Sequence, residues 1–207
     1  MANVLNEQTD YILGRHERIT EKYIFFWKGI LSQWYPTAFR AQIYSSSIRG
    51  WADSFYMFYN CEQYMMLNKA LFMGDGETAA AIMNTTKPKE IKDLGRAVKN
   101  YDEELWSTVR YDVVIEGNFW RRQHDSGFRQ ILDMTKPAIL VEASPYDDIW
   151  GIGLRQEDDR VLDEQKWEGK NLLGMALTTV RDNYMCAEHK EYRNKIIEYL
   201  DIRLDSW

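Results

Sequence analysis

The stretch from Tyr59 to Asp75, YNCEQYMMLNKALFMGD, constrains this chain more than any other, because it sets two charged residues into an otherwise apolar helical pattern. Counted from Glu62, Met66, Lys69 and Ala70 fall at the i+4, i+7 and i+8 positions of one helix face, beside methionine and leucine side chains that must be buried. A charge on such a face is costly unless it is used or paired. At about 1.5 Å per residue the two charges stand roughly 10 Å apart along the axis, too far for a good i, i+4 ion pair. Two readings are open. Glu62 caps a neighbouring helix while Lys69 runs its stem over apolar surface to water, or both reach into one cleft and act there.

The rest of the chain is read around that helix. Residues 1–20 are polar, with Ile12, Leu13 and Ile19 as sustained apolar anchors, and are expected to form an appendage or a short surface helix. Tyr23 to Trp27, YIFFW, has strand character, and LSQWYPTAF after it is a loop by its Ser and Pro. The aromatic segment 41–59 suggests a strand or an extended hairpin feeding the Glu62 helix. Asp75 can cap GETAAAIMNTT, Pro88 sits at the start of PKEIKDLGRAV where its missing N–H does no harm, and Asp102 can cap a long helix in which Leu105, Val109 and Val113 recur every four residues. Ser126 opens a shorter helix through Leu132.

The pattern then changes. Ala138 to Ala143, AILVEA, reads as a buried strand, and it runs into the loop SPYDDIWGIGL. Gly151 and Gly153 there either make a tight turn or let the backbone approach a ligand beside Trp150. After EGKN at 168–171 a helix begins whose N-terminal N–H groups are placed to hold an anion. A charged helix is expected over Glu188–Leu204, and no internal repeat is found. The resulting class is mainly α with a small β component, an α+β chain of one compact domain over residues 23–184, with an N-terminal extension at 1–22 and a C-terminal helix at 185–207.

Composition narrows function by exclusion. A net charge of −6 argues against a protein that coats nucleic acid generally, so any such contact is local. Eight Trp and thirteen Tyr exceed what a core of this size usually needs, which leaves aromatics for a ligand site. His16, His124 and His189 are scattered and Cys61 and Cys186 are far apart, so neither a metal site nor a zinc knuckle is expected. No stretch reaches the roughly 18 apolar residues of a membrane span, and the first residues lack a signal-peptide core. A cytoplasmic protein with reduced thiols, no metal, no cofactor and no membrane partner is the expectation; the oligomeric state is left open.

Taken together, LSQWYPTAF at 31–39, CEQYMMLNKALFMGD at 61–75, PKEIKDLGR at 88–96, the Asp102 and Trp106 pair, LVEASPYDDIWGIGL at 140–154 and WEGKNLLG at 167–174 resemble the NADAR (YbiA-like) family in order and spacing. The resemblance runs from about Phe25 to Arg181. It implies a YbiA-like fold and N-glycosidase chemistry on ribosyl–nitrogen bonds: some members remove ADP-ribose from guanine in nucleic acid, others act on phosphorylated riboflavin-pathway intermediates. It places the family's functional glutamate at Glu62, its lysine at Lys69, its aspartate at Asp147 or Asp148, with Asp147 at the usual spacing, and its tryptophans at Trp106 and Trp150. The GxNxLG turn falls on Gly169, Asn171 and Gly174. The chain departs from the family's SNF and EHY, with Ser32, Gln33, Trp34 and Glu62, Gln63, Tyr64 in their place.

Cleaving a ribosyl–nitrogen bond develops positive charge at the anomeric carbon and negative charge on the leaving base. On this reading Glu62, Lys69 and Asp147 are the catalytic groups, with Glu62 steadying the cation or activating water and Lys69 offering a second route through a Schiff base. Trp106 and Trp150 stack on the base or ribose, or are core residues. Arg96, Asn171 and the N–H groups after it hold the phosphates, although Arg96 also fits a surface ion pair, and Gly151 and Gly153 are further substrate-binding positions. The expected substrate carries ADP-ribose on guanine, with modified DNA or RNA as the carriers. A non-catalytic ADP-ribose or NAD-binding module would need only the aromatic and phosphate contacts.

Overall fold

The computed structural model describes residues 16–44 and 54–182. Along them run β1 (Glu17–Ile19), β2 (Tyr23–Phe26), a 3-10 turn (Gly29–Leu31), β3 (Phe39–Gln42), β4 (Phe55–Phe58), α1 (Cys61–Phe72), α2 (Gly76–Met83), α3 (Pro88–Arg96), α4 (Glu103–His124), α5 (Ser126–Met134), β5 (Ile139–Glu142), two further 3-10 turns (Asp159–Leu162 and Glu164–Lys166) and α6 (Leu172–Asp182). The expected class, mainly α with a small β component, is the one observed. No described helix is long and apolar enough to cross a membrane. The elements gather into two compact units, one built from residues 16–35 and 125–182, the other from 36–44 and 54–124.

In the first unit β2 is the central strand, antiparallel to β1 and parallel to β5, with Tyr23 opposite Ile139 and Phe26 opposite Glu142. All four of its residues are buried, as a central strand covered on both faces requires. Tyr23, Phe25, Val141, Ala143, Ile152, Leu154 and Val161 form its core, with Trp167 packed against it. Helix α6 lies on β5 so closely that a Cβ on Gly174 would come within 2.1 Å of the Leu140 carbonyl oxygen. Buried Arg181 at the end of α6 donates from Nη1 to the Ala138 carbonyl at 2.7 Å and to Thr135 Oγ1 at 3.0 Å, fastening the helix to the segment that enters β5.

The strand β1 corrects the expectation of an appendage or surface helix there. Glu17, Arg18 and Ile19 carry no alternation a reader of sequence would see, yet the backbone pairs with β2 and Glu17 is buried. The remainder of that segment, residues 1–15, and the helix expected over 188–204 lie outside the described residues.

In the second unit β3 and β4 form the expected hairpin, with Phe39 stacked on Phe58 at 5.6 Å on its inner face. Helix α1 is the hub: α2, α3 and α4 all pack on it, and ten of its twelve residues are buried. It therefore has no polar face, only a polar minority. The helix starts follow the capping chemistry. The Asn60 side chain accepts from Gln63 N at 2.8 Å, Asp75 from Thr78 N at 3.0 Å, and Asp102 from Leu105 N at 2.9 Å, each satisfying an amide the helix leaves unpaired.

Candidate active site

The expected site residues divide between the two units. Glu62, Lys69, Arg96 and Trp106 belong to the one built around α1, while Asp147, Trp150, Gly151, Gly153 and Asn171 belong to the one built around β2.

The triplet Glu62, Gln63, Tyr64 opens α1 and its three side chains have three jobs. Gln63 is fully buried; its Nε2 donates to the Ile82 and Thr85 carbonyls at 3.1 and 2.9 Å, and its Oε1 accepts from Tyr59 N at 3.0 Å. It binds α1 to the end of α2. The Tyr64 hydroxyl donates to the Gln42 carbonyl at 3.0 Å, and its ring fills the space left by Gly117 on α4, where a Cβ would meet it at 2.7 Å. With its two neighbours anchored, Glu62 is held in the first helical turn, 4% exposed, where the helix dipole favours a carboxylate.

Two turns on, Lys69 does not run to bulk water. Its Nζ donates to the Gly95 carbonyl at 2.8 Å and lies 4.1 Å from the centre of the Tyr101 ring. Gly95 makes this possible, because a Cβ there would stand 2.0 Å from Met66 Sδ and hold α3 off α1. Burial lowers the Lys69 amine below the usual lysine value, against the attraction of Glu103 and then of Glu62. Glu103 in turn accepts from the Tyr101 hydroxyl through Oε2 and from Arg110 Nη1 at 2.9 Å through Oε1. Burial and then that carboxylate push the Tyr101 phenol up to about 12, and the hydrogen bond from Tyr101, followed by Arg110, holds Glu103 below the usual range.

Sequence reasoning missed Tyr101, Glu103 and Arg110. Glu103 reads as an ordinary acid in a helix first turn, and the only signal was that Arg110 stands seven residues on, hence on the same face. Also missed was the buried pair Asp112 and Glu116 on α4, where burial and then Glu116 push Asp112 up to about 6.

Trp106 is 4% exposed, with its ring 6.4 Å from that of Phe72, so it stands in the core as described. Arg96 is exposed in the last turn of α3, where its charge acts on Asp93, the surface setting already considered for it.

In the other unit, Asp147 Oδ1 accepts from Ile149 N at 3.1 Å and Trp150 N at 2.8 Å, so its carboxylate folds the loop and sets the Trp150 backbone. The loop then lies against the chain that enters α6. Lys170 N, Asn171 N, Leu172 N and Leu173 N donate to the carbonyls of Asp148, Gly151, Ile149 and Trp150 at 2.9, 3.0, 3.2 and 3.1 Å. The first two amides of α6, Leu172 N and Leu173 N, are therefore bonded to loop carbonyls. Asn171 is likewise committed: at φ +54 its Oδ1 accepts from Glu142 N at 2.9 Å and its Nδ2 donates to the Leu140 carbonyl at 3.0 Å. It organises the loop against β5. A Cβ on Gly151 would meet the Glu142 and Asp147 carbonyls at 2.9 and 3.0 Å, so close packing is a sufficient reason for that glycine, while Gly153 makes a left-handed turn at φ +71.

A family model of the NADAR domain matches residues 25–185. The chain belongs to the NADAR family. This NADAR chain is 37% identical over 171 residues to an N-glycosidase of Acanthamoeba polyphaga mimivirus, covering 79% of this chain and 96% of the viral protein. It is 35% identical over 186 residues to the protein irg-1 of Caenorhabditis elegans, covering 86% and 88% of the two chains. An N-glycosidase of Nostoc punctiforme is 26% identical over 121 residues, 58% of this chain and 70% of that one. The NMR structure of the E. coli protein YbiA shares the fold, with a TM-score of 0.60 at 20% identity over 84% of this NADAR chain and 90% of YbiA.

Proposed function

We propose that the protein is an N-glycosidase that removes ADP-ribose from a modified guanine base in nucleic acid or nucleotide. The N-glycosidases among its relatives support the general activity, and the observation that carries the chemistry is the pairing of a buried Glu62 with a desolvated Lys69 on α1. As the C1′–N bond breaks, its electrons leave with the base and the ribose carbon becomes cationic. The oxygen of a water bonds to C1′, one water proton passes to the Glu62 carboxylate, and the departing nitrogen takes a proton from the Lys69 ammonium. A lowered lysine value makes that proton easier to give. Loss of that proton from Glu62 to solvent and uptake of one by Lys69 from solvent restore both groups.

The deciding experiment incubates the protein with DNA, RNA and mononucleotide bearing ADP-ribose on guanine and follows free ADP-ribose and unmodified guanine by mass spectrometry, with a phosphorylated riboflavin-pathway intermediate in parallel. Release from a guanine substrate, lost in Glu62→Gln, is the expected result. Tight binding of ADP-ribose with no release from any substrate would make the protein a binding module instead.

A further inference from the structure

The Lys69 amine is gripped from two sides. The Gly95 carbonyl takes one of its hydrogens from α3, and the face of Tyr101 lies against it from the segment before α4. The carbonyl is backbone in a packed helix and cannot wander. The ring is different, because Tyr101 is 45% exposed and a half-exposed surface tyrosine has little packing to hold it in one position. What holds it is at its far end, where the hydroxyl donates to Glu103 Oε2. Glu103 in turn is fixed by Arg110, whose side chain is 8% exposed and reaches Oε1 at 2.9 Å. A buried guanidinium is tolerated only where a partner meets it, so Arg110 and Glu103 fix one another.

We propose that Glu103 is a positioning residue for Lys69: anchored by Arg110, its carboxylate tethers the Tyr101 ring against the lysine amine and so presents that amine in one orientation. This rests on the reading of Lys69 as a group of the reaction. The groups that face the amine are Glu62 from α1, Glu103 from α4 with Arg110 behind it, Tyr101, and the Gly95 carbonyl from α3. Glu103 therefore has two effects. It holds the ring that shields the amine, and its negative charge opposes the burial that favours the neutral form. The hydrogen bond from Tyr101 on one carboxylate oxygen, and then Arg110 on the other, hold Glu103 below the usual carboxylate range.

The test needs no substrate. The full chain is acylated with acetic anhydride across a pH series, and labelling at Lys69 is read by peptide mass spectrometry against exposed Lys89 as the internal reference. Glu103→Gln removes the charge and weakens the tether, while Tyr101→Phe keeps the ring and removes only the tether. Both are expected to raise Lys69 labelling at pH 8 by at least about threefold, with the Glu103→Gln curve also displaced to lower pH, the change expected when a neighbouring opposite charge is removed. Glu103→Asp, which keeps the charge, should fall between wild type and Glu103→Gln. If Glu103→Gln fails to fold by circular dichroism, Tyr101→Phe carries the test, since Tyr101 is half exposed.

Labelling curves of folded variants that superpose on wild type overturn the proposal. On an ADP-ribosylated guanine oligonucleotide, Glu103→Gln should lower kcat about tenfold with KM within about twofold, as expected for a group that orients rather than binds. A wild type with no activity would refute the proposed function and leave the labelling result standing. Active enzyme with unchanged labelling in the variants would refute the positioning role alone.

Discussion

Alanine at Gly95 should push α3 away from α1 and loosen Lys69 with it. The added Cβ would stand 2.0 Å from Met66 Sδ, 2.8 Å from its Cγ and 3.3 Å from its Cβ. The sulfur and Cγ can swing aside, but the Met66 Cβ is fixed to α1, so α3 must retreat by a few tenths of an ångström. Overpacking of this kind costs about 1–3 kcal/mol, and alanine in place of glycine in a helix returns about 0.8–1.0 kcal/mol. A net loss of about 0–2 kcal/mol follows, which for a chain of this size is a fall in Tm of up to about 8 °C. Thermal unfolding of wild type, Gly95→Ala, Met66→Ala and the double variant measures it. In the Met66→Ala background the Sδ and Cγ contacts are gone and only the 3.3 Å contact with the retained Cβ is left, so Gly95→Ala should cost less there, by about 1 kcal/mol. An equal cost in both backgrounds would refute the argument that Gly95 exists to let α3 approach Met66.

Three further outcomes are expected. Glu62→Gln should keep the fold and ligand binding and lower turnover by at least about a hundredfold, the effect of losing one placed acid or base; activity within a few-fold of wild type would remove Glu62 from the mechanism. Borohydride added during turnover distinguishes the two lysine roles: a reduced ribose adduct at Lys69, with adduct and activity both lost in Lys69→Arg, means a Schiff base, whereas lost activity with no adduct in wild type leaves water as the nucleophile. Glu17 is raised to about 7, chiefly by burial, against the His16 N–H bond that lowers it. The folded state therefore holds this proton more tightly than the unfolded chain, and stability contributed by the neutral acid is lost as pH rises from about 4.5 to about 7, by something of order 2–3 kcal/mol. Denaturant titrations should show Glu17→Gln flattening that decline, and parallel pH profiles for the two proteins would exclude Glu17 as its source.

What could be read from the sequence was the part written in local chemistry. Asp75, Pro88 and Asp102 start their helices because capping and the missing proline N–H act within a few residues, and the charges at Glu62 and Lys69 stood out because their neighbours are apolar. Where the partner is remote the signal vanished. Gln63 passes for a polar helix residue until the Ile82 and Thr85 carbonyls stand beside it. Glu103 and Tyr101 looked like surface residues, and only the fold sets them on Lys69. The clasp that Asn171 makes between loop and strand was equally invisible, because its partners at Leu140 and Glu142 lie about thirty residues earlier. β1 was lost because a three-residue edge strand takes its stability from pairing with β2 and leaves almost no pattern of its own.

The parallel pairing of β2 with β5 has a consequence for the chain as it is made. Tyr23 and Ile139 are more than a hundred residues apart, and everything described between Pro36 and His124 packs among itself. At about 5–20 residues per second, β2 leaves the ribosome on the order of ten seconds before its parallel neighbour exists. During that interval β1 covers one edge, and the other offers Tyr23, Ile24, Phe25 and Phe26 to whatever it meets first. The inserted helical unit can be finished while the strand that precedes it is still waiting. The vulnerable moment in this protein's synthesis belongs to its first apolar strand, and a nascent chain arrested after α4 would present that strand as a binding edge for a chaperone or for another copy of itself.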